Sequence, residues 1–397
     1  MQVNAIDRSA NPAATSAVSR RVNSHNEWDQ LREVIVGRGE GHASVVFPTA
    51  GLVSEPLFVQ VTRLLREAFP QWLTDEINED LDGLAGVLQS FGVNVLRPNT
   101  SRVNQPFTTP YFSAIGDHIY NMRDLHLVVG NTVIESPSQE RHRYFEAMGL
   151  YDIWYDYLKS GGVRWIVGPK PRLSGNYMIT YYEGGRDGYE DGQKYIKLTE
   201  DEVLFEAANT VRMGRDLLYL VSRSGNDLGA RWLQSVLGDD YRVHTTDRIY
   251  KSSHIDSTVL CLRPGLVLLN GERVTPATCP PVLDKWDKIY FRDIVPTPAR
   301  WLEFQQRVRQ PIQQQLMALG VQAGLDSIAS PWIGMNVLSV NPSTVIVDER
   351  QVPLIKELEK CKITPVPIRF RHSYLMGGIH CSTLDTVRES ELESYCD

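Results

Sequence analysis

The order of apolar and polar residues along the chain predicts short strands that come in pairs. Each pair consists of two apolar, β-branched runs on either side of a tight turn, such as the turn at Gly130-Asn131. This pattern is typical of β-hairpins. The pairs occupy residues 122–135, 208–221, 254–270, 335–348 and 378–387.

Helices are predicted between the strand pairs, because apolar residues recur there at three- and four-residue steps. These segments occupy residues 77–90, 139–157, 227–237, 299–319 and 352–361. Further strands are predicted at residues 31–37 and 93–98. Since no single αβ unit could bury its own apolar face, the five units predict an α/β fold in which repeats close into a ring.

Order is predicted to begin near Val22. Residues 1–21 are rich in Ser, Ala and Asn without periodicity, which indicates a disordered N-terminal tail. We therefore expect one structured domain over residues 22–397.

Composition excludes several classes of protein. The chain has 397 residues, of which 42% are hydrophobic and 22% charged, and its net charge is −7. No basic cluster is long enough to follow a phosphate backbone, so nucleic acid is not an expected partner. No apolar run approaches the roughly 20 residues of a membrane span, and the N-terminus lacks the pattern of a secretory signal. We expect a cytoplasmic protein without membrane contact.

The cysteines favour a catalytic thiol over a structural role. They are odd in number, far apart and without a CxxC pair, which argues against a disulfide framework or a zinc site. They are Cys261, Cys279, Cys361, Cys381 and Cys396. Cys381 follows Gly377-Gly378, which lets the backbone turn tightly and could present the thiol at a pocket rim. Its neighbour His380 is expected to pack on the opposite face of a strand.

Polar residues recur at the inner strand ends of the five units. Each could be a cap or a buried core residue on its own, but five in equivalent places indicate a shared site. They are Asp124, Glu206 or Asn209, His254 with Asp256, Asn336, and Cys381. A thiol, an imidazole and several carboxylates suit attack on a planar cation: carboxylates fix a guanidinium through paired N–H donors while the thiolate adds to its carbon.

Six motifs together resemble the arginine-dependent amidinotransferases, and the likeness covers residues 22–395. The motifs are Phe205-Glu206-Ala207-Ala208-Asn209, Gly214-Arg215-Asp216, His254-Ile255-Asp256-Ser257-Thr258, Arg263-Pro264-Gly265-Leu266-Val267-Leu268, Trp332-Ile333-Gly334-Met335-Asn336-Val337-Leu338 and Gly377-Gly378-Ile379-His380-Cys381. Residues 222–243 resemble most the inosamine-phosphate branch of the family.

The resemblance implies the fold and the roles of individual residues. The fold would be the five-bladed, pseudo-symmetric α/β propeller of ββαβ-type repeats, called the pentein fold. Cys381 matches the nucleophile, His254 the general acid and base, and Glu206 the carboxylate that completes the triad. The residues expected to bind substrate are Asp124, Asp256, Arg273, Ser330 and Asn336. No metal or other cofactor is expected.

Three features depart from the family pattern. Glu206 stands where the family usually has Asp, and Met122 stands where a proline usually precedes Arg123-Asp124. Residues 275–330 also form a longer stretch than in the relatives. The acceptor therefore stays open among an aminocyclitol or its phosphate, an amino acid and a polyketide-type amine.

The sequence favours an amidinotransferase that moves the amidino group of L-arginine through Cys381 to a small-molecule amine, releasing L-ornithine, in secondary-metabolite biosynthesis. One alternative is a guanidine hydrolase of the arginine deiminase type, which would yield citrulline. A second alternative is a non-catalytic subunit that binds guanidines. Relatives of this kind often form dimers, so a homodimer is possible.

Overall fold

The computed structural model describes most of the chain. The described residues are 21–40, 59–60, 63, 70–116, 118–175, 177–182, 194–250, 253–318 and 330–397. The predicted tail therefore lies outside the described residues as far as residue 20.

Five three-stranded sheets with one common plan make up most of the structure. In each sheet a central strand pairs antiparallel with one neighbour and parallel with the other. Four sheets are continuous in sequence: β5–β7 (His126–Val129, Thr132–Glu135, Arg164–Val167), β10–β12 (Thr210–Met213, Asp216–Leu220, Arg242–Thr246), β13–β15 (Val259–Arg263, Leu266–Asn270, Asp287–Phe291) and β16–β18 (Leu338–Asn341, Thr344–Asp348, Thr364–Ile368). Four of the five predicted strand pairs are thus confirmed, with a third strand added to each. The pair predicted at residues 378–387 is wrong, because only one strand lies there.

The remaining three-stranded sheet joins the two ends of the chain. Strand β1 (Leu31–Val36) pairs antiparallel with β19 (Thr383–Arg388) and parallel with β2 (Asn94–Leu96). The unit predicted at residues 378–387 is therefore completed by a strand from the other end of the sequence. Two small two-stranded sheets, β3–β4 (Pro106–Thr108, Ser113–Ile115) and β8–β9 (Met178–Tyr182, Lys194–Leu198), lie outside this plan.

A helix connects the second and third strands in four of the five sheets. These helices are α1 (Gln71–Ser90), α2 (Tyr151–Lys159), α3 (Asp227–Leu237) and α5 (Val352–Lys360). In the sheet β13–β15 a short 3₁₀ turn, Pro281–Leu283, stands in this position. The long stretch 275–330 also contains α4 (Ala299–Ala318), and the short helix α6 (Ser373–Met376) precedes the Cys381 segment.

The helix predicted at residues 139–157 is wrong in its first half. Two 3₁₀ turns, Arg141–Arg143 and Glu146–Leu150, precede α2. The charged side chains of Arg143 and Glu146 point inward and pair with each other at 2.6 Å, an arrangement that the apolar spacing does not reveal.

Apolar clusters lie between neighbouring sheets. One cluster joins β1 to β16, and a second joins β1 and β19 to β5 and β6. Three further clusters join β5–β6 to β11, β10–β11 to β13–β14, and β13–β14 to β17, which lies in the same sheet as β16. Each sheet thus shares buried side chains with two others, which fixes the sheets against one another. Within the described ranges, no helix is both long enough and apolar enough to span a membrane.

Candidate functional site

The predicted polar residues occupy equivalent places in the five sheets. Each lies in the short segment just before the strand that pairs antiparallel with the central strand of its sheet. Asp124 precedes β5, Glu206 precedes β10, His254 and Asp256 precede β13, Asn336 precedes β16, and Cys381 precedes β19. All of these residues therefore occupy the same position in the topology of their sheets.

An imidazole lies between two buried carboxylates. His254 Nε2 is 2.5 Å from Glu206 Oε2, and His254 Nδ1 is 3.6 Å from Asp124 Oδ1. The side chain of His254 is 18% exposed, whereas those of Asp124 and Glu206 are almost fully buried. Glu206 contacts the histidine directly, so the additional methylene relative to Asp still allows this contact. Its catalytic role stays a prediction.

Arg143 binds both of these carboxylates. The sequence did not predict this role. Its Nη1 atom donates to Asp124 Oδ2 at 2.6 Å and lies 3.4 Å from Glu206 Oε1. Glu146 binds the other edge of the guanidinium at 2.6 and 2.8 Å. Ser138 Oγ also donates to Glu206 Oε1 at 2.8 Å. In the sequence, Arg143 was only a charged residue inside a segment interpreted as a helix.

Cys381 lies in a turn, so the expectation that it sits on a strand was wrong. Its Sγ atom is 3.2 Å from Asp256 Oδ2, and its backbone N–H donates to Asn336 Oδ1 at 2.9 Å. Asn336 Nδ2 in turn donates to the carbonyl of Asp256 at 3.0 Å. A side chain at Gly378 would place its Cβ 2.4 Å from Asn336 atoms, so only glycine allows this approach.

The thiol is buried and has a high pKa. Burial raises the pKa of Cys381 well above its ordinary value, and the charges of Asp256 and Asp124 raise it further. Burial would also raise the pKa of Asp256, but its hydrogen bond with His380 and nearby positive charge lower it to about 2. Cys381 is therefore a neutral thiol beside a carboxylate until a cation enters the site.

The pKa of the imidazole is also raised, but by a different cause. Burial lowers the pKa of His254, but the charges of Asp124 and Glu206 outweigh burial and raise it to about 9. For Glu206, burial is opposed by Arg143 and His254, which lower its pKa to about 2. Burial raises the pKa of Asp124. At neutral pH the histidine is a cation that can donate a proton.

The structure places the other predicted residues at different distances from this cluster. Arg273 donates to Ser257 Oγ at 3.1 Å and to Thr258 Oγ1 at 3.0 Å, and its guanidinium stacks 3.7 Å from the centre of the Tyr250 ring. It thus adjoins the segment that carries Asp256. Ser330 begins a 3₁₀ turn, Pro331–Met335, and accepts a hydrogen bond from Trp332 N at 3.4 Å.

Asn209, which the sequence left as an alternative to Glu206, serves a structural role. It is fully buried and bonds Ser222 and Ser224. Glu206 is thus the residue of this unit that faces the histidine.

One set of side chains has the composition of a metal site. Asp124, Glu206 and His254 offer ligand atoms that lie within 4.8 Å of one another. Arg143 already donates to Asp124 Oδ2, and the His254–Glu206 hydrogen bond occupies the ring nitrogen that faces the carboxylate. This donor set therefore suits an organic cation with N–H groups better than a bare ion. The absence of a cofactor stays a prediction.

Comparison with known proteins identifies the relatives of this chain. No protein-family model matches it. Inosamine-phosphate amidinotransferase 1 of Streptomyces griseus is 38% identical over 377 residues, covering 94% of this chain and 99% of that protein. The L-arginine:L-lysine amidinotransferase of Pseudomonas savastanoi pv. phaseolicola is 32% identical over 378 residues, covering 94% and 96%.

Solved structures give the same result. Inosamine-phosphate amidinotransferase from Streptomyces griseus superposes with a TM-score of 0.75 over 95% of this chain and 99% of that one, at 38% identity. A DDAH from Pseudomonas aeruginosa, only 12% identical, shares the fold with a TM-score of 0.52 over 89% of this chain and 99% of that one. These likenesses identify an α/β pentein fold. Since identity above 30% extends over nearly the whole length, the chain belongs to the arginine-dependent amidinotransferase family.

Proposed function

We propose that the protein transfers the amidino group of L-arginine to a small-molecule amine through a covalent intermediate on Cys381, in secondary-metabolite biosynthesis. The observation that carries this proposal is the placement of a thiol and a cationic imidazole among three buried carboxylates. Related amidinotransferases, which include an inosamine-phosphate and an L-arginine:L-lysine enzyme, support the reaction class.

The carboxylates supply the binding site for the guanidinium. Asp124 Oδ1 is buried and has no hydrogen-bond partner among the described residues, although Oδ2 of the same group is bonded to Arg143. A buried acceptor without a donor is costly, and a guanidinium N–H would satisfy it. Asp256, beside the thiol, can receive a second N–H from the same cation.

Binding of the cation also prepares the nucleophile. The pKa of Cys381 is raised by burial and by the charges of Asp256 and Asp124. A guanidinium between these carboxylates offsets their charge and so lowers the pKa of the thiol. When arginine binds, the thiol therefore releases its proton to solvent and becomes a thiolate, and it takes a proton back from solvent after the products leave. This limits unproductive reactions of the free enzyme.

In the first half of the reaction, Cys381 Sγ forms a bond to the guanidinium carbon and the carbon–Nε bond of arginine breaks. His254, a cation at neutral pH, gives its proton to the departing nitrogen, and ornithine leaves with its side-chain amine complete. The amidino group remains on sulfur. Glu206 stabilises the imidazolium before this transfer and orients its ring.

In the second half, the amine of the acceptor attacks the same carbon. His254, now neutral, takes a proton from that amine, and the carbon–sulfur bond breaks. The electron pair returns to Cys381 as a thiolate, and the histidine is again a cation. No reagent beyond the two substrates is needed for this balance.

Other parts of the proposal rest on the sequence. Arg273 and Ser330 would hold the α-carboxylate of arginine, and Asn336 positions the Cys381 backbone. The acceptor is an amine of unassigned structure, with an aminocyclitol or its phosphate, an amino acid and a polyketide-type amine as candidates. A cytoplasmic location, a homodimer and a single domain over residues 22–397 stay predictions.

We also propose that the five sheets form one closed ring of five blades. The apolar clusters support this, because each sheet shares a cluster with two others and the series returns to the first sheet. A closed ring would bring the equivalent segments before β5, β10, β13, β16 and β19 to one end of a common axis.

Product analysis tests the function. The protein is incubated with L-arginine and a panel of amines that includes glycine, lysine, hydroxylamine and an aminocyclitol with and without phosphate. We expect ornithine and one amine that gains an amidino unit, and we expect Cys381→Ala to produce neither. Citrulline as the main product would contradict transfer in favour of hydrolysis, and saturable arginine binding without any product would favour a non-catalytic subunit.

A further inference from the structure

His380, the neighbour of the proposed nucleophile, bridges two buried carboxylates. Its Nδ1 atom is 3.1 Å from Asp256 Oδ2, and its Nε2 atom is 3.4 Å from Glu27 Oε2. The side chain is 14% exposed. Because residues 379–382 form a turn, His380 does not point away from the thiol as it would on a strand.

The two contacts together indicate the protonated ring. A neutral imidazole donates through one nitrogen and carries a lone pair on the other, so one carboxylate would face a lone pair. The imidazolium donates to both carboxylates. Glu27 is a carboxylate as well: burial would raise its pKa, but Arg212 and His380 lower it far below the ordinary range.

Packing alone does not account for this position. His380, Glu27 and Asp256 line a cavity of about 20 Å³ together with apolar side chains that include Val259 and Val337. A cavity of that size has room for about one water molecule. His380 therefore does not fill the space on this side completely.

The oxygen that His380 binds is the one that faces the thiol. Asp256 Oδ2 receives His380 Nδ1 at 3.1 Å and lies 3.2 Å from Cys381 Sγ. When the thiol ionises, its negative charge is set directly against that carboxylate. A cation on the far side of the same oxygen offsets this repulsion and keeps the carboxylate in place.

We infer that His380 is a positioning residue for the proposed reaction: its imidazolium holds Asp256 toward Cys381 and compensates the charge of the thiolate. This inference rests on the proposed function, but the chemistry that it predicts is a property of the thiol itself. It can therefore be measured without any amidino transfer.

Other titratable and charged groups lie near His380 and the thiol and must be held constant. They come from several elements that pack around His380 and Cys381, and the variants below change none of them. They are Glu27, Tyr120, Arg123, Asp124, Arg143, Glu206, Arg212, His254, Asp256 and Asp385.

Two substitutions separate the two contacts. In His380→Asn the amide nitrogen stands as many bonds from Cβ as Nδ1 of histidine, so it can still donate to Asp256. In His380→Gln the amide nitrogen matches Nε2, so it can reach Glu27 but not Asp256. Neither side chain carries the positive charge.

The readout is the rate at which iodoacetamide alkylates Cys381 in the full chain without arginine, followed across pH by peptide mass spectrometry. We expect His380→Asn to slow alkylation about tenfold at a fixed pH, which corresponds to a rise of about one unit in the pKa of the thiol. His380→Gln should be slower still, since Asp256 loses its donor. With arginine and an amine, kcat should fall in the same order.

His244→Gln is the matched control, because His244 Nε2 also contacts a carboxylate, Asp216 Oδ1, at 2.7 Å in another sheet. This variant should alkylate at the wild-type rate, and thermal unfolding monitors the folding of all three. Alkylation of both His380 variants at the wild-type rate would overturn the inference. So would a slower rate in His380→Asn than in His380→Gln, which would assign the role to Glu27.

Discussion

Two buried clusters of charged residues lie side by side in this protein, and they differ in how completely they are paired. The paired cluster consists of Glu27, Arg123, Arg212, Asp385 and Arg388. The Asp385 carboxylate forms ion pairs with three arginines: Arg123 at 2.5 Å, and Arg212 and Arg388 at 2.7 Å each. The candidate site, around Cys381, leaves Asp124 Oδ1 without a hydrogen-bond partner among the described residues.

The pKa shifts follow this difference. Burial would raise the pKa of Asp385, but Arg212, Arg388 and Arg123 hold it well below its ordinary range. At the candidate site, burial and the carboxylates instead keep Cys381 protonated, with a pKa well above its ordinary value. The comparison teaches that saturated pairing fixes charges permanently, whereas incomplete pairing leaves groups that an entering cation can change.

The largest expected effect comes from breaking the candidate site at Glu206. Glu206→Gln removes the charge that helps to hold the pKa of His254 at about 9 and that stabilises its cation. We expect kcat/KM for arginine to fall by about 10²- to 10⁴-fold, the usual contribution of acid–base catalysis. Steady-state ornithine release measures this loss.

Glu135→Gln provides the control for that prediction. Glu135 is an equally buried carboxylate that accepts a hydrogen bond from Trp165 Nε1 at 2.8 Å. This variant should keep activity within about threefold, because Glu135 accepts its hydrogen bonds from Trp165 and Tyr151, which are not residues of the candidate site. Equal losses in both variants would mean that Glu206 acts through stability alone.

A smaller effect, and one on stability, is expected in the paired cluster. Arg212→Met leaves Glu27 and Asp385 without the guanidinium that binds them at 2.8 and 2.7 Å. Removing one partner from a buried ion pair costs about 3–5 kcal/mol in the free energy of unfolding. Urea denaturation, monitored by tryptophan fluorescence, measures this change.

The exposed ion pair between Arg32 and Glu389 calibrates this measurement. These side chains are 47% and 58% exposed and lie 2.7 Å apart. Arg32→Met should therefore leave the free energy of unfolding almost unchanged, because an exposed ion pair contributes little to stability. If Arg212→Met cost no more than this, saturated pairing would not be what stabilises the paired cluster.

The smallest effect is a shift in pH dependence. His254 must be protonated to give its proton to ornithine, and its pKa is raised to about 9. At saturating arginine, where Cys381 is already a thiolate, we expect kcat to fall at alkaline pH as His254 loses its proton. In Glu206→Gln the residual activity should fall at a lower pH, since one of the charges that raise this pKa is gone. An unmoved falling limb would assign the ionisation to another group.

Apolar spacing predicted the repeated units but not how they close. Helix α3 has the predicted limits, Asp227–Leu237, and its buried residues Ala230, Leu233 and Leu237 recur at three- and four-residue steps. The pairing of β1 with β19 joins residues more than 340 positions apart, as in Val36 with Thr383. Hydrophobic periodicity is local and carries no information on such a partner.

The candidate site was predictable where a motif carried it and not where tertiary contacts created it. His254 contacts Glu206 and Cys381 contacts Asp256, while the catalytic roles of these residues stay predictions. Arg143 was missed because an inward-pointing arginine in a 3₁₀ turn looks, in sequence, like a surface charge. His380 was misread because strand alternation was applied to a turn.

The most direct test of the account is the intact mass of the protein after brief mixing with L-arginine and acid quench, without an acceptor. We predict a species heavier by one amidino unit, located at Cys381 by peptide mapping and released when an amine is added before the quench. Release of ornithine with no adduct on Cys381, or an adduct that persists in Cys381→Ala, would contradict it.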